Sequence, residues 1–193
     1  MDEGTAVERA LIGAAADLAA AGKRFALVGG LAVSVRSEVR FTRDVDLAVS
    51  VVDDVEAEGL VYTLRNHGYT AVATVEHETR HRLSTVRLMS PPGVKVDLLF
   101  ASSGLEAEVV ERATGVRLGA AGNVAVAQAE ELLALKVLSM TEQRLQDRSD
   151  AQQLLLHNPN LDIERVRQNL RLISERGFDR GQNLQEKLAS LRA

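Results

Sequence analysis

Apolar residues recur at helical spacing from Val7 to Ala21, through Val7, Leu11, Ala14 and Leu18, and Gly22 ends the run. Phe25 to Val28 is a short apolar strand closed by Gly29-Gly30, after which Leu31 to Ser37 returns to a helical texture. Asp46 to Val51 predicts the next strand, entered from Thr42-Arg43-Asp44. Val55 to His67 is helical and stops at Gly68. Thr70 to Val75 and Leu83 to Met89 alternate as two strands around a charged turn. Pro91-Pro92-Gly93 marks a turn, and Val94 to Phe100 then runs as a buried strand would. A short helix, Leu105 to Ala113, precedes a strand pair around 116–118 and 124–126, with Gly119 and Gly122 between them. Beyond Ala127 the pattern is helical, over 128–140, 144–156, 161–174 and 182–192. The expected organisation is therefore a mixed front, 1–125, and a helical back, 126–193.

Composition narrows the function classes. The 193 residues are 46% hydrophobic and 26% charged, as in a folding globular chain. Aromatic residues make up 3% with no Trp, which argues against base stacking on many rings as the main mode of binding. There is no cysteine, so disulfides, thiolate chemistry and cysteine zinc sites are excluded. A net charge of -4 argues against a general nucleic-acid coat but leaves room for a local basic patch. The acidic start lacks an apolar signal core, and no apolar run spans a bilayer, so no membrane role and a cytoplasmic location are the expectation.

The chemistry lies in carboxylates. Asp44 and Asp46 sit two apart on a predicted strand, so both point to one face and offer hard oxygen ligands suited to Mg²⁺. Asp97 interrupts the apolar run Val96 to Leu99, where an unpaired carboxylate would be costly. If its strand lies beside that of Asp44 and Asp46, three carboxylates converge. Such a set can hold two metal ions, with Asp97 on one of them and free to take a proton from a nucleophile. An Asp-x-Asp pair alone is common by chance, and its surroundings decide its meaning. Gly29-Gly30 follows a strand and opens a helix, which lets backbone N–H groups approach a phosphate or simply makes a turn.

Val28-Gly29-Gly30-Leu31-Ala32-Val33, continued by Arg40-Phe41-Thr42-Arg43-Asp44-Val45-Asp46-Leu47, resembles the DNA polymerase β-type nucleotidyltransferase superfamily, and within it the AbiE-type toxin branch. The shared pattern is a strand, a Gly-Gly or Gly-Ser turn, a helix, then R-x-T-x-D-x-D-L. A late lysine-bearing helix followed by an aspartate also matches, at Lys136 and then Asp147 or Asp150. The likeness covers 25–50, 94–100 and 130–155. It implies an α+β fold: a polymerase β-like core, a small mixed sheet with flanking helices, followed by a helical C-terminal region. It implies metal-dependent transfer of a nucleoside monophosphate from an NTP to a hydroxyl. Mg²⁺ or Mn²⁺ would sit on Asp44, Asp46 and Asp97, and Gly29 and Gly30 would cradle phosphates. Lys136 would hold the triphosphate, with Asp147 or Asp150 nearby. Arg40 and Arg43 are candidates for substrate phosphates or for structural ion pairs. The toxin branch implies an RNA acceptor, the 3′ end of tRNA, and a cognate antitoxin. A small-molecule acceptor such as an antibiotic, or a non-catalytic binding module, is the alternative.

Three further features carry separate expectations. Lys136 is the sole charge from Leu132 to Met140, so its ammonium either snorkels outward or meets a ligand, and the resemblance favours the ligand. His77-Glu78-Thr79-Arg80-His81 spells a zinc-protease motif, but its strand-like flanks predict an exposed turn of a hairpin. Arg144, Arg148, Arg165, Arg167 and Arg171 form either a track for an RNA backbone or surface pairs with neighbouring acids.

Overall fold

Thr5 starts the first helix with a reciprocal cap. Its hydroxyl accepts the Glu8 N–H (3.2 Å) and the Glu8 carboxylate accepts the Thr5 N–H (2.6 Å). Helix α1 (Ala6–Ala20) then buries Ala10, Leu11, Ala14 and Leu18, a single apolar stripe. The computed structural model describes residues 5–77 and 82–191. Glu78 to His81 of the histidine pentad lie outside the described residues.

The strands are β1 (Phe25–Val28), β2 (Asp44–Val49), β3 (Thr70–His77), β4 (Arg82–Met89), β5 (Lys95–Leu99), β6 (Thr114–Arg117) and β7 (Asn123–Val126). They form one sheet in the order β3-β4-β5-β2-β1-β7-β6. The pairs β2–β5 and β1–β7 are parallel; the others are antiparallel. This is the mixed sheet expected, and the flanks of the pentad are indeed a β3–β4 hairpin. Ala26, Leu27 and Val28 are all buried, because β1 is an inner strand covered on both faces.

The remaining helices are α2 (Gly29–Arg36), α3 (Asp54–Asn66), α4 (Glu106–Arg112), α5 (Ala129–Ser139), α6 (Leu145–His157), α7 (Ile163–Glu175) and α8 (Leu184–Ala189). Helix α5 is the hub of the back, packed against α2, α6, α7 and α8. One continuous cluster of buried apolar residues runs from α1 through the sheet to α8. Polar ties cross from front to back as well. Arg36 at the end of α2 donates to Val126 O (3.0 Å) at the end of β7 and to Ala127 O (2.9 Å), where the chain leaves the sheet for α5. Asn158 donates to Arg36 O (2.9 Å).

The strongest tie is Glu131 of α5, 0% exposed. Its carboxylate accepts from Arg165 (2.7 and 3.1 Å), Arg112 (3.1 Å) and Asn169 (3.1 Å), which joins α4, α5 and α7. Burial pushes this carboxyl up, but the hydrogen bonds from Arg165 and Asn169 prevail and hold it below its ordinary range. Arg165 is therefore a structural residue. Arg165→Ala should cost about 3 kcal/mol by weakening the compensation of a buried charge, lowering the melting temperature by roughly 6–12 °C. Nucleotidyl transfer measured well below that temperature should be unchanged. Thermal denaturation and an activity assay of the same variant check both halves.

Candidate active site

The pleat of β2 turns Asp44 and Asp46 to one face, and the parallel register places Asp46 directly beside Asp97 of β5. Across β5, Asp97 pairs in turn with Arg87 of β4. Arg87, Asp97 and Asp46 thus form one rung across three strands. Arg87 donates to both oxygens of Asp97 (2.8 and 2.6 Å), a bidentate pair, and Asp97 holds the guanidinium well above its ordinary range. The Asp46 carboxyl is pushed up to about 6, first by burial and then by the charges of Asp97 and Asp44; Lys136 and the Gly30 N–H work against this.

These carboxylates line a cleft of about 1000 Å³ between the sheet and the helical back. Its acidic floor consists of carboxylate oxygens without histidine or cysteine, a donor chemistry that fits a hard cation such as Mg²⁺ or Mn²⁺. The repulsion that raises the Asp46 carboxyl is negative charge of the kind a cation would neutralise. Among the described residues no three acidic or histidine side chains already converge on a single ion position. Asp97 gives both oxygens to Arg87.

Two glycines make this packing possible. Gly29 has φ +64°, in the left-handed region, and the Asp46 carboxylate occupies the space its Cβ would fill. The neighbouring Gly30 lies under the Arg40 guanidinium, whose Cζ would be 3.0 Å from an added Cβ. The Gly30 N–H, expected to face a phosphate, donates to the Asp46 carboxylate. The open end of α2 is thus used, in this structure, to steady the central acid of the site.

The opposite wall is α5 and the start of α6. Lys136 does not snorkel to the surface. It is 9% exposed, and its ammonium lies 2.8 Å from Asp147 and 2.7 Å from Asp150. The two late aspartates therefore share the lysine, but only Asp147 lines the cleft. Asp150 sits behind, 1% exposed, where Arg40 meets it at 2.8 Å. Burial raises the Asp150 carboxyl, but hydrogen bonds from Lys136 and Arg40 outweigh this and leave it below its ordinary range. Arg40 has taken the structural ion pair of its two alternatives. Arg43 lies over the exposed Phe41 ring, 5.3 Å from its centroid, at the same cleft.

Of the two alternatives for the arginines of the back, the structure shows the surface pairs. Arg167 and Arg171 pair with Glu164 (3.5 and 2.8 Å), Arg165 with Glu130 and Glu131, and Arg148 donates to Ser190 O. None of these four lines the cleft, whereas Arg144 does, paired to Asp147 at 2.8 Å. Two cleft cations were not legible in the sequence. Arg87 was signalled only by β4's alternation, which gives Thr85, Arg87 and Met89 one face and buries Val86 and Leu88 on the other. Arg180, in the α7–α8 loop, had no periodic signal at all.

Among the described residues no helix is long and apolar enough to cross a membrane. Comparison with solved structures finds the same fold in nucleotidyltransferases. One is an antigenic nucleotidyltransferase-like protein from Paracoccidioides brasiliensis, with TM-score 0.53 and 18% identity over 95% of this chain and 92% of that one. Another is the antibiotic-resistance factor ANT(2'')-Ia, with TM-score 0.51 and 16% identity over 91% and 94%. The lincosamide antibiotic adenylyltransferase LnuA, bound to lincomycin, gives TM-score 0.50 and 16% identity over 76% and 95%. A comparison with curated proteins returns no match. The family model for the nucleotidyl transferase AbiEii toxin of type IV toxin–antitoxin systems matches residues 11–191, nearly the whole chain. With the carboxylate rung, the Gly29-Gly30 turn and the lysine wall in place, the chain belongs to the AbiEii nucleotidyltransferase toxins.

Proposed function

We propose that this nucleotidyltransferase moves a nucleoside monophosphate from an NTP to the 3′ hydroxyl of RNA, the 3′ end of tRNA being the acceptor, with a divalent metal at the cleft floor. The observation that carries the reading is the cleft itself: Asp44, Asp46 and Asp97 on its floor and Lys136 on the facing wall. Asp44 and Asp46, with Asp97 beside them, would hold Mg²⁺ or Mn²⁺, which lowers the pKa of an attacking hydroxyl and offsets charge on the reacting phosphate. Lys136, fixed by Asp147 and Asp150, meets the triphosphate as a point charge. Arg87 holds Asp97 in one orientation, from which it takes the hydroxyl's proton. Gly29 and Gly30 leave room for the Asp46 carboxylate and the Arg40 guanidinium to pack at the floor that the phosphates would approach.

A single-stranded 3′ end suits the cleft's rim. Phe41 is 77% exposed and carries Arg43 over its ring, a surface on which a terminal base can stack beside a phosphate-seeking cation. Blocking the 3′ end of tRNA would stop its charging, in keeping with a toxin that a cognate antitoxin restrains.

Incubation with each labelled NTP, Mg²⁺ and total RNA should label tRNA and release pyrophosphate. Labelling should fall steeply as salt rises if backbone phosphates position the acceptor. If RNA stays unlabelled with every NTP while a small hydroxylated compound such as an antibiotic becomes labelled, the acceptor is the small molecule.

A further inference from the structure

Six cations line the cleft: Arg40, Arg43, Arg87, Lys136, Arg144 and Arg180. Four of them are paired with carboxylates, Arg40 to Asp150, Arg87 to Asp97, Lys136 to Asp147 and Asp150, and Arg144 to Asp147. Arg43 stacks on Phe41. Of these six, Arg180 alone meets neither an acid nor a ring. It faces another cation instead: burial and the Arg144 charge both depress its guanidinium. Its charge, after burial, also depresses the Lys187 ammonium. A positive group drawn into a positive corner is unfavourable in the free protein and favourable once an anion arrives.

The backbone at this point is equally unusual. Arg180 has φ +58°, the one non-glycine residue in the left-handed region among those described, and Gly181 follows at φ +70°. The turn is locked in place. Asp179 accepts from Gly181 N (3.0 Å) through its side chain and from Gln182 N (3.1 Å) through its carbonyl. On one side Phe178 is buried against Gly104, and on the other Lys187 donates to Met140 O at 2.6 Å. The loop therefore holds an arginine where a glycine would be free of strain, and the side chain it retains lines the active cleft.

Asp147 supplies the orientation. One of its oxygens accepts from Lys136 (2.8 Å) and the other lies 2.8 Å from Arg144, so these cations are neighbours on the helical wall of the cleft that Arg180 also lines. A chain of phosphates carries several negative charges close together and suits cations gathered on one wall, whereas Arg43 and Phe41 belong to the loop that enters β2. We propose that Arg180, together with Arg144, binds the terminal phosphate of the incoming nucleoside triphosphate. This rests on the reading above that Lys136 meets the triphosphate, but not on the identity of the acceptor.

Arg180→Gly is the discriminating variant, because it removes the guanidinium and relieves the left-handed backbone together. Its melting temperature without ligand should equal or exceed that of the wild type. Inorganic tripolyphosphate, in the presence of a metal chelator, should raise the melting temperature of the wild type and not that of Arg180→Gly. In the transfer assay the KM for NTP should rise about tenfold or more while the KM for the acceptor stays nearly constant. Arg180→Lys, which keeps the charge, should restore part of the tripolyphosphate effect. Unchanged NTP KM and unchanged tripolyphosphate protection in Arg180→Gly overturn the proposal. So does a fall in its ligand-free melting temperature, which makes Arg180 structural, or a rise in the acceptor's KM alone, which moves the phosphate to the RNA. If RNA is never labelled but tripolyphosphate still distinguishes the two proteins, the acceptor reading falls and the phosphate site stands.

Discussion

Asp46→Asn is expected to lower nucleotidyl transfer by roughly 10²–10³-fold or more and, at the same time, to make the metal-free protein more stable. Loss of activity follows from the metal reading, since a neutral amide cannot replace a carboxylate in neutralising a cation that polarises phosphate. The gain in stability follows from the rung. Asp46 is half-buried beside Asp97 and Asp44, and its carboxyl stands at about 6 instead of its ordinary 3.8. A folded-state value above the unfolded one means that ionisation favours unfolding. The penalty is absent below about pH 4, grows as pH rises to 6, and is fully present above it. Its size is at most about 3 kcal/mol, and asparagine removes it. At pH 8 in chelator, Asp46→Asn should melt about 5 °C or more above the wild type, and the difference should vanish towards pH 4. Adding Mg²⁺ at pH 8 should raise the melting temperature of the wild type and leave the variant unmoved. Wild-type activity in Asp46→Asn would sink the metal assignment; a variant less stable at pH 8 would sink the account of the rung.

How much of this was legible in the sequence depends on whether a signal is local. Strand β1 is the apolar run Phe25–Val28 to the residue, and the common face of Asp44 and Asp46 follows from the pleat. That Asp97 stands beside Asp46 was only conditional, because a strand's neighbours are not written in its own pattern. The pairing of Arg87 with Asp97 depends on the β4–β5 register, fixed by the Pro91-Pro92-Gly93 turn acting together with the core, and stayed hidden for that reason. Lys136 stood out as one charge on an apolar helix, but its two partners lie on a different helix, eleven and fourteen residues on. Arg165 stayed open between a phosphate contact and an ion pair because its acid, Glu131, is thirty-four residues away. Arg167 and Arg171 share Glu164 within their own helix, the local alternative already visible in the spacing. Arg180 was illegible for another reason: its meaning lies in a backbone angle, and no residue pattern marks a left-handed arginine.

Gly29→Ala should damage the site as severely as many substitutions of a reacting group, though residue 29 contributes no side chain. The position has φ +64°, so alanine meets strain of about 1–2 kcal/mol before any contact is considered. Its methyl would then fall within the Asp46 carboxylate and lie 2.7 Å from the Asp46 Cβ. That Cβ cannot yield easily. It belongs to an inner strand, hydrogen-bonded to β1 on one side and β5 on the other, with Val45 and Leu47 flanking it at 0% exposure. The movement left is rotation of the carboxylate away from the Gly30 N–H, which displaces an oxygen of the proposed metal site by an ångström or so. Misplacement on that scale costs about 10²-fold in rate. Gly30→Ala offers the contrast, since the atoms in its way are the far end of the Arg40 side chain, which can swing at the expense of its bond to Asp150. Activity should therefore fall much further in Gly29→Ala than in Gly30→Ala. A double-mutant cycle separates the two causes. Combined with Asp46→Ala, which removes the carboxylate but keeps the Cβ, Gly29→Ala should lose only the stability that its backbone strain and the remaining Cβ contact require, and the difference between the two backgrounds measures the steric coupling to the carboxylate. If Gly29→Ala retains wild-type turnover, or costs the same stability with and without the Asp46 carboxylate, the close packing of Gly29 on Asp46 does not shape the active site.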